Sequence, residues 1–307
     1  MADAFKLQFS VTAEYHGMLL REFLIQNNIS RTALTDIKYH GGRILVNNRE
    51  ETVRYIVQTG DNIIVQFPPE EKNNHMLGWN QPLQIIYEDD YILAVNKPAG
   101  MSTIPSREHT EYTLANAIVY YYSQIGLNSA VHFVTRLDYD TSGLVLVAKH
   151  RHIHHLFSLA QEKKEITKEY LALIGGTLKT NSGHINQPIA RVNNSIIKRE
   201  VRADGQTATT LYNTVQTFQK DNEPYSLIQL QLLTGRTHQI RVHMEWLGYP
   251  LLGDSLYGGD CTHIKRQALH CAKLQFTHPI TNEFIVLEST LPQDMQTVIT
   301  SSQQCRL

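Results

Sequence analysis

The spacing of apolar positions along the chain changes period several times. From Tyr15 to Ile25 the residues Leu19, Leu20, Phe23 and Leu24 fall on one helical face, and Ser30 stands where an N-cap would open a second helix reaching about Tyr39. Gly41-Gly42 interrupts that pattern. Beyond it, Arg43 to Val46, the turn formers Asn47-Asn48 and two later apolar stretches ending in Ile63 to Phe67 predict short strands. Residues 1–70 are therefore expected to form a small domain of two helices and a few strands. The polar stretch from Pro68-Pro69 to Trp79 predicts a linker, with residues 71–82 joining this domain to the next.

A second pattern follows. Leu83 to Tyr87 and Ile92 to Val95 flank an acidic turn and predict paired strands, ended by Lys97-Pro98-Ala99-Gly100. Leu114 to Tyr122 predicts a helix whose tyrosines, Tyr120, Tyr121 and Tyr122, pack with apolar bodies and wet hydroxyls. The stretch His132 to Lys149, HFVTRLDYDTSGLVLVAK, organises the rest. Its polar front, Arg136, Asp138, Asp140, Thr141 and Ser142, precedes Gly143 and the apolar run Leu144 to Ala148. Such a run predicts a buried strand, which would hold the polar residues at a rigid sheet edge or mouth.

His150 to Lys164 predicts a helix lying on that sheet, its histidines on the surface. Alternating strands are expected at Lys168 to Ile174, around Ile189 to Val192, at Thr207 to Val215 and at Tyr225 to Leu232. GRTHQIRVHMEWLG reads as a strand end passing into a helix. Ala268 to Phe276 and Phe284 to Leu287 predict a final hairpin, and residues 299–307 a flexible tail. The expected fold class is α+β: a small N-terminal α/β domain, then a unit over 83–298 with a mixed, mainly antiparallel sheet and flanking helices.

Composition narrows the setting. Hydrophobic residues at 42% and charged ones at 19% belong to a soluble globular chain, not a disordered one. MADAFKLQFS holds no apolar signal core and no run is long enough for a membrane span, so a cytoplasmic protein without a membrane partner is expected. Cys261, Cys271 and Cys305 make no disulfide framework. The net charge of -1 does not announce a polyanionic partner. Local basic clusters stay candidates for one: Lys163, Lys164 and Lys168, then Arg191, Lys198, Arg199 and Arg202. The alternative for each is an ordinary solvated face.

Three groups of residues invite chemistry. Asp138 offers a carboxylate for attack on an electron-poor carbon, with Thr141 and Ser142 to hold its loop; Asp138 and Asp140 also suit a turn or a cap. Gly253-Asp254-Ser255-Leu256 spells the nucleophile block of the GDSL hydrolases, but it lies late in the chain, without a preceding strand or a clear Asp-x-x-His partner, so a serine esterase is disfavoured. Cys261, His263, His270 and Cys271 have ligand chemistry but not the usual zinc spacing, and His150 with His154 has no carboxylate frame. No metal is expected.

TRLDYDTSGLVLVAK is similar to the central motif of the RluA-type pseudouridine synthases. NKPAG at Asn96 to Gly100 and GRTHQIRVH at Gly235 to His243 match two more motifs of that family in order. The resemblance implies isomerisation of uridine to pseudouridine in RNA without a cofactor, and it makes Asp138 the catalytic residue. It further implies that Arg236 pairs with that carboxylate, with Arg241 the less favoured choice and otherwise an RNA contact. Arg136 would enter the RNA helix where the target uridine leaves it, and the Tyr170 ring would lie against the base.

The first seventy residues resemble the S4 RNA-binding domain, which implies RNA contacts at Arg31, Lys38, Arg43 and Arg49. The partner implied is structured RNA, first large-subunit ribosomal RNA, with transfer RNA as the alternative, bound by a monomer. Thr135 stands where the family commonly has His, and MSTIPS follows NKPAG in place of more apolar residues with His-Pro. These departures touch the RNA target more than the chemistry. The rival reading is an RNA-binding protein that kept the scaffold and lost catalysis.

Overall fold

The computed structural model describes residues 5–70, 76–106 and 110–300. Its first part runs β1 (Lys6–Ser10), α1 (Leu20–Gln26), α2 (Arg31–Tyr39), β2 (Arg43–Val46), β3 (Arg49–Glu50) and β4 (Asn62–Gln66). The strands pair antiparallel in the order β1-β4-β2-β3. Leu20, Phe23 and Leu24 of α1 and Leu34 and Ile37 of α2 close over Ile44, Val46, Ile63 and Val65, a core of their own. Ser30 caps α2 as its position predicts, its side chain accepting the Ala33 N–H. Asn47 and Asn48 turn the chain between β2 and β3 with φ of +50° and +66°. The helix expected from Tyr15 begins only at Leu20, because Ala13–Tyr15 closes a 3-10 turn and Gly17 breaks the run at φ +80°.

The second part continues with β5 (Ile85–Glu88), β6 (Ile92–Lys97), α3 (Leu114–Gln124), β7 (His132–Phe133), β8 (Ser142–Ala148) and α4 (Arg151–Glu162). Next come β9 (Thr167–Gly175), β10 (Ser182–Asn186), β11 (Ile189–Arg191), β12 (Arg199–Val201), β13 (Thr209–Lys220) and β14 (Glu223–Leu232). The chain closes with α5 (Gln239–Trp246), β15 (Leu269–Thr277), β16 (Phe284–Glu288) and α6 (Gln293–Thr300).

Among the described residues one sheet runs β10-β13-β14-β9-β15-β8-β6-β5, with β16 added on β15 and β7 on β8. Its pairings are antiparallel except β15 with β8. The mixed, mainly antiparallel sheet matches the alternation in the sequence. The last hairpin, however, is no appendage: β15 lies between β8 and β9, at the centre. Every residue of β8 is buried, and Leu144 to Val147 each contribute roughly 1.5–3 kcal/mol of burial to that core.

The two cores meet through aromatic rings. Phe5 stacks on His150 at 4.2 Å between centroids, and Phe67 tilts against His152 at 4.9 Å. Of the four histidines expected on a free surface, His150 and His152 thus cover this junction, and His152 is buried. The start of the expected linker is anchored as well. Glu70 accepts from His132 Nε2 at 2.6 Å, from Ser129 Oγ at 3.1 Å and from the Arg151 backbone N–H. Residues 71–75 lie outside the described residues. Ile299 and Thr300 belong to α6 instead of the expected tail, the rest of which, 301–307, also lies outside them. No helix among the described residues is long and apolar enough to cross a membrane.

Candidate active site

The loop between β7 and β8 carries Asp138, and the four carbonyls from Leu137 to Asp140 are held. The Leu137 carbonyl accepts from Thr103 Oγ1 at 2.8 Å, and that of Asp138 from the Thr141 N–H at 3.1 Å. The Tyr139 carbonyl accepts from Lys97 Nζ at 3.0 Å and from the Met101 N–H at 3.2 Å. The Asp140 carbonyl accepts from Arg266 Nη1 at 3.0 Å. Arg266 is itself clamped on Asp294 of α6 by two hydrogen bonds of 2.7 and 2.9 Å. Backbone groups so satisfied have little freedom, and the Asp138 side chain inherits that fixity.

Lys97 is fully buried and donates to three carbonyls, those of Pro98, Met101 and Tyr139, at 2.7–3.0 Å. Burial pushes its ammonium down to about 7, while Asp138 and Asp140 pull it up. The NKPAG motif therefore reaches the Asp138 loop through this side chain. Gly143, directly after Ser142, has φ +115°, and a Cβ there would lie 2.3 Å from the Cys271 carbonyl oxygen. Only glycine lets β8 and β15 run side by side at this point.

The guanidinium that reaches Asp138 belongs to Arg241. Its Nη1 lies 3.4 Å from Asp138 Oδ2, while Nε and Nη2 donate to the two oxygens of Asp254 at 2.7 and 2.8 Å. The expectation that Arg236 pairs with Asp138 is corrected: Arg236 is exposed, and its Nε donates to the Thr207 carbonyl at 3.1 Å. Arg241, expected as an RNA contact, is buried between two carboxylates. The cause is the helix start. His238 takes the left-handed conformation at φ +57°, and three residues later α5 carries Arg241 into the core, whereas Arg236 stays on the loop outside.

Asp254 is buried in the stretch that spells a hydrolase block. Its charge is matched by Arg241, so the block serves as an ion-pair partner and not as a nucleophile elbow. A Cβ on Gly253, at φ +73°, would fall 1.9 Å from the Arg266 carbonyl oxygen, so glycine is required to bring the Asp254 and Arg266 segments together.

His238 approaches the same carboxylate, its Nε2 3.8 Å from Asp138 Oδ2. Its Nδ1 lies 2.9 Å from the Tyr257 hydroxyl, which accepts the Arg199 N–H at 3.0 Å. In the tautomer that accepts the phenol hydrogen on Nδ1, the hydrogen of a neutral ring sits on Nε2, toward Asp138. Burial lowers the His238 pKa, which favours the neutral ring. The Arg241 guanidinium lies 5.0 Å from the centre of the Tyr257 ring.

These groups face a cleft of about 720 Å³. Asp138 and Tyr170 both line it, as do Arg136, Lys164, Arg236 and His238. Tyr170 lies in β9 opposite Cys271 of β15 and is buried to 5% exposure. Burial pushes its phenol well above the ordinary value, so the hydroxyl stays protonated at neutral pH and the ring offers a stacking face. Burial likewise pushes the Cys271 thiol up to about 12. Arg136 is exposed at the cleft. Thr135, at the position of departure from the motif, is buried and accepts the Leu146 N–H at 2.9 Å.

The sequence brought Asp138 and Tyr170 to one cleft but missed Asp254, His238, Lys97, Arg266 and Tyr257. Gly253 and Gly259, on either side of Asp254, were the available signal, since each stands where an added Cβ would meet a backbone carbonyl at 1.9 Å. In the first part, Arg31, Lys38, Arg43 and Arg49 are all exposed. Lys38 lies over the Tyr39 ring at 4.7 Å, and Arg43 donates to Gln66 Oε1 at 2.9 Å.

Residues 91–246 match the family model described as RNA pseudouridylate synthase. The chain is 44% identical over 282 residues to YjbO of Bacillus subtilis (strain 168), an uncharacterized RNA pseudouridine synthase, covering 92% of this chain and 98% of that one. It is 36% identical over 272 residues to ribosomal large subunit pseudouridine synthase D of Vibrio cholerae, covering 83% and 81%. Among solved structures, human RNA pseudouridylate synthase domain containing 1 shares the fold with a TM-score of 0.56 at 24% identity, over 74% of this chain and 96% of that one.

Proposed function

The chain belongs to the RNA pseudouridylate synthase family and isomerises uridine in RNA, and from that premise we propose that Asp138 carries the reaction on ribosomal RNA of the large subunit. The observation that supports Asp138 is the convergence of Arg241 and His238 on its carboxylate in a cleft that Tyr170 also lines. The ribosomal target is supported by the similarity to the Vibrio cholerae enzyme.

In this reading the target uridine leaves its stack and enters the cleft. Asp138 acts at the sugar, the bond between N1 and C1′ breaks, the uracil turns against Tyr170, and C5 bonds to C1′. Loss of the C5 proton and gain of a proton at N1, freed when its bond to C1′ broke, return the ring to uracil, so atoms and electrons balance with no added reactant. Arg241 holds the direction of the Asp138 carboxylate, and Asp254 fixes Arg241. Tyr170 supplies a stacking face, since its raised pKa makes it a poor base at neutral pH. Arg136, exposed at the cleft mouth, takes the place that the extruded base leaves.

The first part, residues 5–70, is read as an S4-like RNA-binding domain that presents Arg31, Lys38, Arg43 and Arg49 to the same RNA. Mapping pseudouridine across total RNA tests the whole reading, using cells that lack the protein and cells rescued with wild type or Asp138→Ala. A site on large-subunit ribosomal RNA should vanish and return only with wild type. Restoration by Asp138→Ala would remove Asp138 from the chemistry, and a vanished site on transfer RNA would replace the substrate.

A further inference from the structure

Arg236, which does not pair with Asp138, sits instead on the wall between two concavities. The catalytic cleft is one. The other, about 320 Å³, is formed by the β11–β12 hairpin and the turn after it, and Arg191, Arg199 and Arg236 all line it. Arg236 and Thr237 line both, so the two spaces adjoin.

The charge in this second pocket is one-sided. Its single carboxylate, Asp204, is engaged by Arg202, which also reaches Glu200. Arg199 is held in place by Nη1 donation to the carbonyls of Ile196, Ile197 and Lys198 at 3.0–3.4 Å, and its backbone N–H is tied to Tyr257. Arg236 is held through Nε on the Thr207 carbonyl. Three arginines, two of them with a guanidinium anchored on carbonyls, thus line a space about ten times the roughly 30 Å³ that a water occupies. Guanidinium forks suit phosphate oxygens, and the space has room for a phosphate with part of its sugar.

We propose that the pocket walled by Arg191, Arg199 and Arg236 is a phosphodiester-binding site that holds the RNA strand adjoining the nucleotide in the catalytic cleft. The proposal deepens the reading of the chain as an enzyme acting on RNA and rests on it. It gives Arg236 a binding role, and it makes the β11–β12 hairpin, which touches Tyr257 and through it His238, the element that registers the flanking strand.

The test uses the full chain and two probes. The first is an oligoadenylate decamer, which has phosphodiesters but no uridine, titrated by fluorescence anisotropy across a series of potassium chloride concentrations. Arg191→Gln and Arg236→Gln should each weaken binding by about tenfold, and each should lower the slope of log affinity against log salt by about 0.7. Arg191→Lys should keep the slope. Arg191 is exposed, so its substitution leaves the folded core intact.

The second probe is unmodified large-subunit ribosomal RNA transcribed in vitro, in single-turnover pseudouridine formation. The half-saturating concentration should rise by about the same factor in both glutamine variants, with the rate at saturation kept. Wild-type affinity and slope in both variants would overturn the proposal. So would a loss of rate at saturation without a loss of affinity in Arg236→Gln, since that places Arg236 in the catalytic cleft. No pseudouridine from the wild type would count against the ribosomal substrate alone, and the oligoadenylate titration would still decide the pocket.

Discussion

Arg241 and Asp254, thirteen residues apart, form a buried two-point ion pair, with hydrogen bonds of 2.7 and 2.8 Å, and this pair aims the remaining Nη1 of Arg241 at Asp138. A carboxylate outside the central motif thereby sets the direction of the charge that faces Asp138.

Removing either partner of that pair separates stability from catalysis. Asp254→Ala leaves a buried guanidinium with Asp138 as its remaining carboxylate and should cost about 3–5 kcal/mol, read from urea midpoints. Arg241→Lys cannot span Asp254 and Asp138 together, and single-turnover rates should fall at least about a hundredfold. Arg236→Lys should keep the rate at saturating RNA. If the two arginine variants behave alike, the assignment of Arg241 to Asp138 is wrong.

Lys97→Met should loosen the Asp138 loop. It orphans hydrogen-bond positions on the Pro98, Met101 and Tyr139 carbonyls, at about 1–3 kcal/mol for each group left unsatisfied. The expected result is a lower melting temperature together with a drop in rate of about tenfold or more, while RNA affinity stays within about threefold. An unchanged rate would show that the NKPAG contact does not hold the loop.

Gly143→Ala tests the approach of β8 to β15. The added Cβ would meet backbone atoms of Cys271 at 2.3 and 2.5 Å in a conformation with φ +115°. Neither strand can yield in the sheet centre, so a loss above about 3 kcal/mol or insoluble protein is expected. Soluble expression with wild-type melting would contradict the observed pairing.

Acid should weaken the fold through two buried histidines. Burial pushes His152 and His270 down to about 4, from 6.5. His270 Nδ1 faces Ser142 Oγ at 3.0 Å, and His152 Nδ1 has no hydrogen-bond partner among the described residues. Between pH 6.5 and 4 the unfolded chain takes up these protons and the folded chain does not, so stability falls as pH falls through that window, by roughly 3 kcal/mol for each site. His152→Phe, which keeps a ring against Phe67, should remove about half of that dependence in urea titrations between pH 4 and 7. An unchanged slope would mean that His152 is protonated in place.

Local pattern by itself determined the elements that depend on neighbours in sequence: the Ser30 cap, the Asn47-Asn48 turn, the wholly buried run of β8 and the antiparallel alternation after Lys168. The family resemblance carried Asp138 and Tyr170 into one site, and the two line one cleft from the loop before β8 and from β9 of the same sheet. Which arginine meets Asp138 was beyond such reading. Arg236 and Arg241 are five residues apart in one motif, and the choice depends on a left-handed residue at His238 that turns one inward and leaves the other outside. Asp254 and Arg266 depend on close packing at Gly253 and on β15 entering the sheet between β8 and β9. These contacts span up to 126 residues, and only the tertiary fold decides which distant charge shares a buried space, since a buried charge is stable solely where a partner arrives to match it.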